Sequence, residues 1–295
     1  MLSLDDLLKL AEAHRPDLSA RVAEFAVKGQ TIASNARGHT MGVINLSPDS
    51  WYRESVCLSA EAAIRRAFVL EAQGADVVDI GAESTLAHAT RADEALQNSK
   101  LVPVLQGLKD LRIPISVETY NLPVARRCLE LGASIINLTG TEDTSEFYRL
   151  ARDFDAAVIV CYVQGRNVRE VEDLDLGGDP VGVLRGFFGR EIERAEKAGL
   201  RKLFIDPGLG FYYRNLQDSA VRVRHQMTVF LNTFRLRSLG YPVCHALPHA
   251  FEFFGEEVRS AEPFFAVLAA LGKTNLFRTH EVAKTKAVLD ALSVF

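Results

Sequence analysis

The chain has 295 residues, 48% of them apolar and 24% charged, and its 34 Lys and Arg against 38 Asp and Glu leave a net charge of −4, with a pI near 6.0. Such a composition can bury a large core, and the absence of a basic stripe that could follow a phosphate backbone excludes nucleic acid as the natural partner. No apolar run reaches the roughly 18 residues of a membrane span, and the acidic start MLSLDDLLKLAEAHRPDL lacks the basic opening and apolar centre of a signal peptide, so a cytoplasmic protein is expected.

Residues 1–38 read as an N-terminal helical extension of one or two helices, because Leu2, Leu4, Leu7, Leu8 and Leu10 follow a helical period. Gly38 ends this segment, which is expected to cap the bottom of the domain that follows at 39–295. From there short apolar runs alternate with longer helical patterns. Strands are predicted at 40–45, 76–81, 113–118, 134–139, 157–162, 202–206, 242–246 and 274–279. Helices are predicted near 59–73, 93–110, 121–131, 144–153, 180–199, 216–239, 263–271 and 281–293. The strand runs are continuously apolar, as in parallel strands covered on both faces. Eight strand–helix units in succession point to an α/β fold, a (β/α)8 TIM barrel, rather than an open sheet. Gly74, Gly132 and Gly199 fall where helices end, at positions that call for a left-handed backbone. The four cysteines, Cys57, Cys128, Cys161 and Cys244, are widely spaced and read as free buried thiols.

In a barrel of this kind the chemistry sits where the strands end. The predicted strands run into Asn45, then Asp79 and Thr85, then Glu118, Asn137, Asp206, His245 with His249, and Arg278 with His280. Polar groups at the ends of apolar strands are costly unless paired, so their clustering suggests purpose. Glu118, Asn137 and Asp206 are expected to converge on one small volume. Two carboxylates and an amide suit a flat ligand with a guanidine-like edge, since a carboxylate accepts two parallel N–H bonds. Arg278 can stack on the ring. Asn45, Arg278 and His280 could hold an anion such as a phosphate at the rim.

Four stretches resemble the dihydropteroate synthase family. They are Met41–Ser50 (MGVINLSPDS), Gly74–Thr85 (GADVVDIGAEST), Ile205–Phe211 (IDPGLGF) and Arg278–Val282 (RTHEV). Four ordered motifs are far more specific than any one alone. The resemblance implies a pterin-binding transferase of folate or related pterin biosynthesis. Such an enzyme joins an arylamine such as 4-aminobenzoate to a hydroxymethyl-dihydropterin pyrophosphate and releases pyrophosphate, with Mg2+ accompanying the pyrophosphate. Carried over, the catalytic residues are Asp206, Arg278 and His280. Asp206, Asn137 and Glu118 would hold the pterin, with Glu118 in the place of the family's aspartate. Arg278, His280 and Asn45 would meet the pyrophosphate, Asn45 also serving the metal. Thr85 and His249 complete the substrate-binding set.

The chain departs from the family's pattern in places. Leu86 stands where the family has arginine, and Leu138 follows Asn137 where the family has aspartate. The family's Ser-Arg-Lys after the seventh strand is replaced by His245-Ala246-Leu247-Pro248-His249, and the first loop carries the bulky Trp51-Tyr52. The missing lysine points to an altered amine or pterin. A pterin-dependent methyltransferase and a non-catalytic pterin-binding paralogue are the alternative readings. Pairing of two copies into a homodimer is the expectation for assembly.

Overall fold

The computed structural model describes residues 1–32, 34–50, 52–84, 89–174, 177–211 and 213–294. A short hairpin, β1 (Phe25–Val27) and β2 (Gln30–Ile32), precedes eight further strands. These are β3 (His39–Asn45), β4 (Val77–Gly81), β5 (Ile115–Glu118), β6 (Ile135–Leu138), β7 (Ala157–Cys161), β8 (Leu203–Asp206), β9 (Cys244–Ala246) and β10 (Leu276–Thr279). All eight lie in one parallel sheet ordered β8-β7-β6-β5-β4-β3-β10-β9. One parallel bridge, Ile205 to Val243, joins its two edges and closes a barrel. Each of the eight predicted strands is therefore present, with its ends shifted by no more than two residues.

Helices cover the outside of the ring, and several begin on the side chains that favour helix starts. Ser59 accepts from the backbone of Ala62, Asp93 from Leu96, Asn121 from Val124 and Asp218 from Val221. Gly74, Gly132 and Gly199 have φ of +92°, +99° and +83°, so each ends its helix in the left-handed turn that the pattern demanded. The four cysteines are free and buried. Among the described residues, no helix is long and apolar enough to cross a membrane.

The extension corrects one expectation. Its helix covers only Leu4–Ala13, followed by a 3-10 turn at Arg15–Ser19, and residues 25–32 form the hairpin. Lys28 and Gly29 both have positive φ, as a two-residue hairpin turn requires. The hairpin, not a helix, plugs the bottom of the barrel. Val27 and Ile32 pack with Met41, Ile135, Phe204 and Leu276, and the Phe25 ring meets Phe204 edge-on at 5.1 Å. Phe204 is fully buried, and truncating such a ring to alanine typically costs about 3–5 kcal/mol.

Candidate active site

The strand register sets the site. Glu118 on β5 pairs with Asn137 on β6, and Cys161 on β7 pairs with Asp206 on β8, so the polar strand ends lie side by side around the ring. Gly208 holds the turn after Asp206 at φ +73°, and a Cβ there would lie 2.2 Å from the Tyr162 carbonyl, so no other residue fits. Its N–H donates to Asp206 Oδ1 at 2.8 Å and fixes the carboxylate. Glu118, Asn137, Asp206 and Arg278 line one inner cleft, together with Cys161 and Phe211.

Charge in this cleft is organised around Arg278. Its Nε donates to Asp79 Oδ2 at 2.7 Å and its Nη2 to Glu118 Oε2 at 2.6 Å. Ser116 donates to the other oxygen of Asp79 at 2.6 Å, and Asn137 Nδ2 donates to Asp79 at 3.1 Å. The Cys161 thiol donates to the Asn137 amide oxygen at 3.3 Å. Three buried carboxylates, Asp79, Glu118 and Asp206, thus surround a single guanidinium. Burial pushes Glu118 up to about 7; Arg278 opposes that shift, while Asp79, Glu83 and Asp206 add to it. Burial likewise pushes Asp206 up to about 6, against the Gly208 N–H and Arg278. Burial works against the charge of Arg278, but Asp79 and Glu118 hold it protonated above its usual range. The inner cleft carries a surplus of negative charge, which favours a ligand that is electron-poor or donates hydrogen bonds.

A second cleft adjoins the first and opens outward, lined among others by Asn45, Arg222, His249 and His280, and sharing Glu118 and Arg278. Asn45 gives both amide hydrogens away, to Ser50 at 2.9 Å and Ser55 at 2.6 Å. His280 Nδ1 meets Glu262 Oε1 at 2.6 Å, and the Tyr52 ring stacks on the imidazole at 4.4 Å. Glu262 is 1% exposed, and its other oxygen accepts from the backbone of His280 at 2.9 Å and from the Thr279 hydroxyl. Tyr52 also bonds Glu281, which Arg259 grips through two nitrogens, so the first loop is fastened to the last helix of the ring. His249 stacks on Phe251 at 4.6 Å, and burial, with Arg222 nearby, lowers it to about 4. Arg222 pairs with Glu252 at 2.5 Å.

The structure therefore brings Glu118, Asn137, Asp206 and Arg278 together, and sets Asn45, His249 and His280 at the adjoining mouth. Arg278 lies deeper than the rim position expected of it, clamped between two carboxylates. Thr85, Leu86 and Trp51 lie outside the described residues. Sequence reasoning gave three groups no role. Asp79 was seen at the end of its strand but not assigned to the site. Glu262 and Arg222 sit on helices and gave none, because only the fold carries them to the cleft. No group of three or more His, Cys, Asp or Glu among the described residues is arranged to hold a metal. One amide oxygen with pyrophosphate oxygens and water is nevertheless a donor set that suits Mg2+, which rarely uses an all-protein cage.

Comparison with known proteins agrees with this geometry. The family described as "Pterin binding enzyme" matches residues 41–246. A dihydropteroate synthase of Synechocystis sp. is 28% identical over 98% of this chain and 99% of its own. One from Streptococcus pyogenes is 27% identical over 92% of this chain and 98% of its own. The solved structure of Xanthomonas albilineans dihydropteroate synthase with 4-aminobenzoic acid superposes with a TM-score of 0.75 at 27% identity, covering 92% of this chain and 97% of that one. These likenesses favour the synthase reading over methyl transfer or ligand holding alone. The closed parallel barrel, the polar cluster at its strand ends and these matches together place the chain in the pterin-binding enzyme family, as a dihydropteroate synthase family member.

Proposed function

We propose that the protein is a dihydropteroate-synthase-like transferase that joins an arylamine such as 4-aminobenzoate to a hydroxymethyl-dihydropterin pyrophosphate. One observation carries the reading: an inner cleft with surplus carboxylates opens into a mouth that adds Arg222, His249 and His280, and the two share Glu118 and Arg278. That polarity suits a bond that breaks unevenly. The C–O bond between the pterin methylene and pyrophosphate breaks, and the electron pair leaves with the pyrophosphate. Asp206 and Glu118 stabilise the cationic pterin left behind. The amine lone pair then forms the C–N bond, and the amine loses a proton. Preorganised charge of this kind supplies most of the rate enhancement in many enzymes.

At the mouth, Glu262 fixes the His280 ring through Nδ1, so Nε2 is the atom presented to the departing pyrophosphate. Asn45 keeps its amide oxygen for a cation because its hydrogens are already donated. Mg2+ bound there would neutralise charge on the pyrophosphate. The family's lysine is absent after β9. Arg222, which reaches the same cleft from the helix Ser219–Leu231, supplies positive charge there and shapes the choice of amine. The test is pyrophosphate release in a steady-state assay with hydroxymethyl-dihydropterin pyrophosphate and a panel of arylamines. Release with at least one amine is expected. No release with any amine, or calorimetry showing that neither pterin nor pyrophosphate binds, would sink the reading.

A further inference from the structure

A second roomy cleft lies away from the mouth. It lies at the opposite end of the barrel, between the segment around Ser34–Gly38 and the helix Val282–Leu292, with a volume of about 690 Å3. A space of that size suits a small-molecule ligand. Two of its ion pairs balance themselves, Arg37 with Asp76 and Lys286 with Asp290 at 2.6 Å.

Arg237 and Lys273 differ. Arg237 is 7% exposed, and its guanidinium touches only neutral acceptors: the carbonyls of Ala20 at 3.3 Å and Lys273 at 3.2 Å, and Asn35 Oδ1 at 3.2 Å. Lys273 is exposed at the edge of the cleft, and its Nζ likewise bonds a carbonyl, that of Leu18. Neither cation has a carboxylate partner within 4.0 Å among the described residues. Burial lowers the pKa of Arg237, and Arg21 lowers it further; burial also lowers that of Lys273, and Arg237 adds to it. A buried cation without a counter-charge is costly, and a native fold retains one where something neutralises it. Ser34, at 4% exposure, and Thr274, at 6%, line the same cleft, and the enclosed hydroxyl oxygens of both have no hydrogen-bond partner. Buried hydroxyls left unsatisfied are rare in folded proteins.

The geometry points to an anion site at the bottom of the barrel, in which Arg237 and Lys273 with the hydroxyls of Ser34 and Thr274 hold the phosphate of a small phosphorylated molecule. A phosphate fits better than a carboxylate because its several oxygens can accept from the guanidinium, the ammonium and both hydroxyls together. The bound anion would tie the end of the 3-10 turn to the end of the ring, because Arg237 and Lys273 already grip Ala20 and Leu18. This site is independent of the chemistry assigned to the mouth.

The test is calorimetric titration of the full chain with inorganic phosphate and, separately, with citrate. Four proteins are compared: the wild type, Lys273→Gln, the double variant Ser34→Ala with Thr274→Val, and the mouth variant His280→Ala. We expect a phosphate-binding event that survives in His280→Ala and weakens about tenfold or more in Lys273→Gln and in the double variant. Citrate is expected to bind more weakly than phosphate. Lys273→Gln keeps a donor for the Leu18 carbonyl, so it tests the charge while leaving the fold intact; Arg237 is left alone because it bridges three backbone segments. Phosphate binding equal in all four proteins, lost only in His280→Ala, absent throughout, or weaker than citrate would overturn the proposal.

Discussion

The two ends of this barrel hold their charges in opposite ways. In the inner cleft behind the mouth, Asp79, Glu118 and Asp206 outnumber the Arg278 guanidinium among them, and nearly every group is tied: Asp79 to Arg278, Ser116 and Asn137, and Asp206 to the Gly208 N–H. At the bottom the surplus is positive, and the groups that carry it reach only carbonyls and an amide. The hairpin that plugs the bottom, residues 25–32, carries no carboxylate and cannot supply the missing charge. The contrast teaches that a fold leaves buried charge unbalanced in the sense its ligand corrects: acid where a cation forms, base where an anion binds. It also separates roles, since the mouth is set by strand ends and the bottom by the extension and the last helix.

The comparison breaks most sharply at Asp206. Asp206→Asn removes charge from the acidic side while keeping size, and kcat should fall by about 10²–10³, the usual cost of deleting one preorganised electrostatic group. A fall of less than threefold in steady-state turnover would show that the inner acidity is not catalytic. Glu262→Gln is expected to lower kcat/KM by about 10–100-fold, as supporting partners of a site residue commonly do. The loss should appear as a raised KM for the pyrophosphate-bearing substrate with the KM for the amine unchanged, a split that general loosening of the fold would not produce.

The pH response should be about tenfold. Glu118 and Asp206 have folded pKa values raised to about 7 and about 6, so the folded protein binds their protons more tightly than the unfolded chain does. Stability from these groups is complete below about pH 4 and is lost as pH rises through about 6 and 7. Ligand binding runs the other way, because carboxylates must be ionised to accept a guanidine-like edge. Pterin affinity measured by calorimetry should therefore rise by about tenfold from pH 5 to pH 8, and flatten in Glu118→Gln. The smallest effect on activity is expected at the plug. Phe25→Ala should cost about 2 kcal/mol, or roughly 3 °C in Tm, with KM and kcat unchanged. A matching loss of turnover would mean that the two ends are not separate.

Much of the site was legible because its residues end strands. Asn45, Glu118, Asn137, Asp206 and Arg278 each close an apolar run or stand one residue from its end, and in a parallel barrel that position alone aims a side chain at the mouth. Asp79 was equally visible among the strand-end residues, yet no role was assigned to it. The hairpin at 25–32 carried a turn in Lys28-Gly29, but the leucine period of the first helix masked it. Arg222 and Glu262 could not be found this way. Each lies on a helix, and nothing in their local pattern tells which loop they approach.

From the chain alone followed the number and order of the barrel strands, the direction of their polar ends and the ligand class, because hydrophobic period and strand-end chemistry are local properties written in consecutive residues. What required the folded molecule was every pairing across the ring: Arg278 clamped by Asp79 and Glu118, His280 held by Glu262 and covered by Tyr52, and Arg237 left among carbonyls beneath the barrel. Those contacts join residues as far apart in the chain as Tyr52 and His280. Their energies depend on burial and on the sum of nearby charges, and neither exists until the sheet has closed.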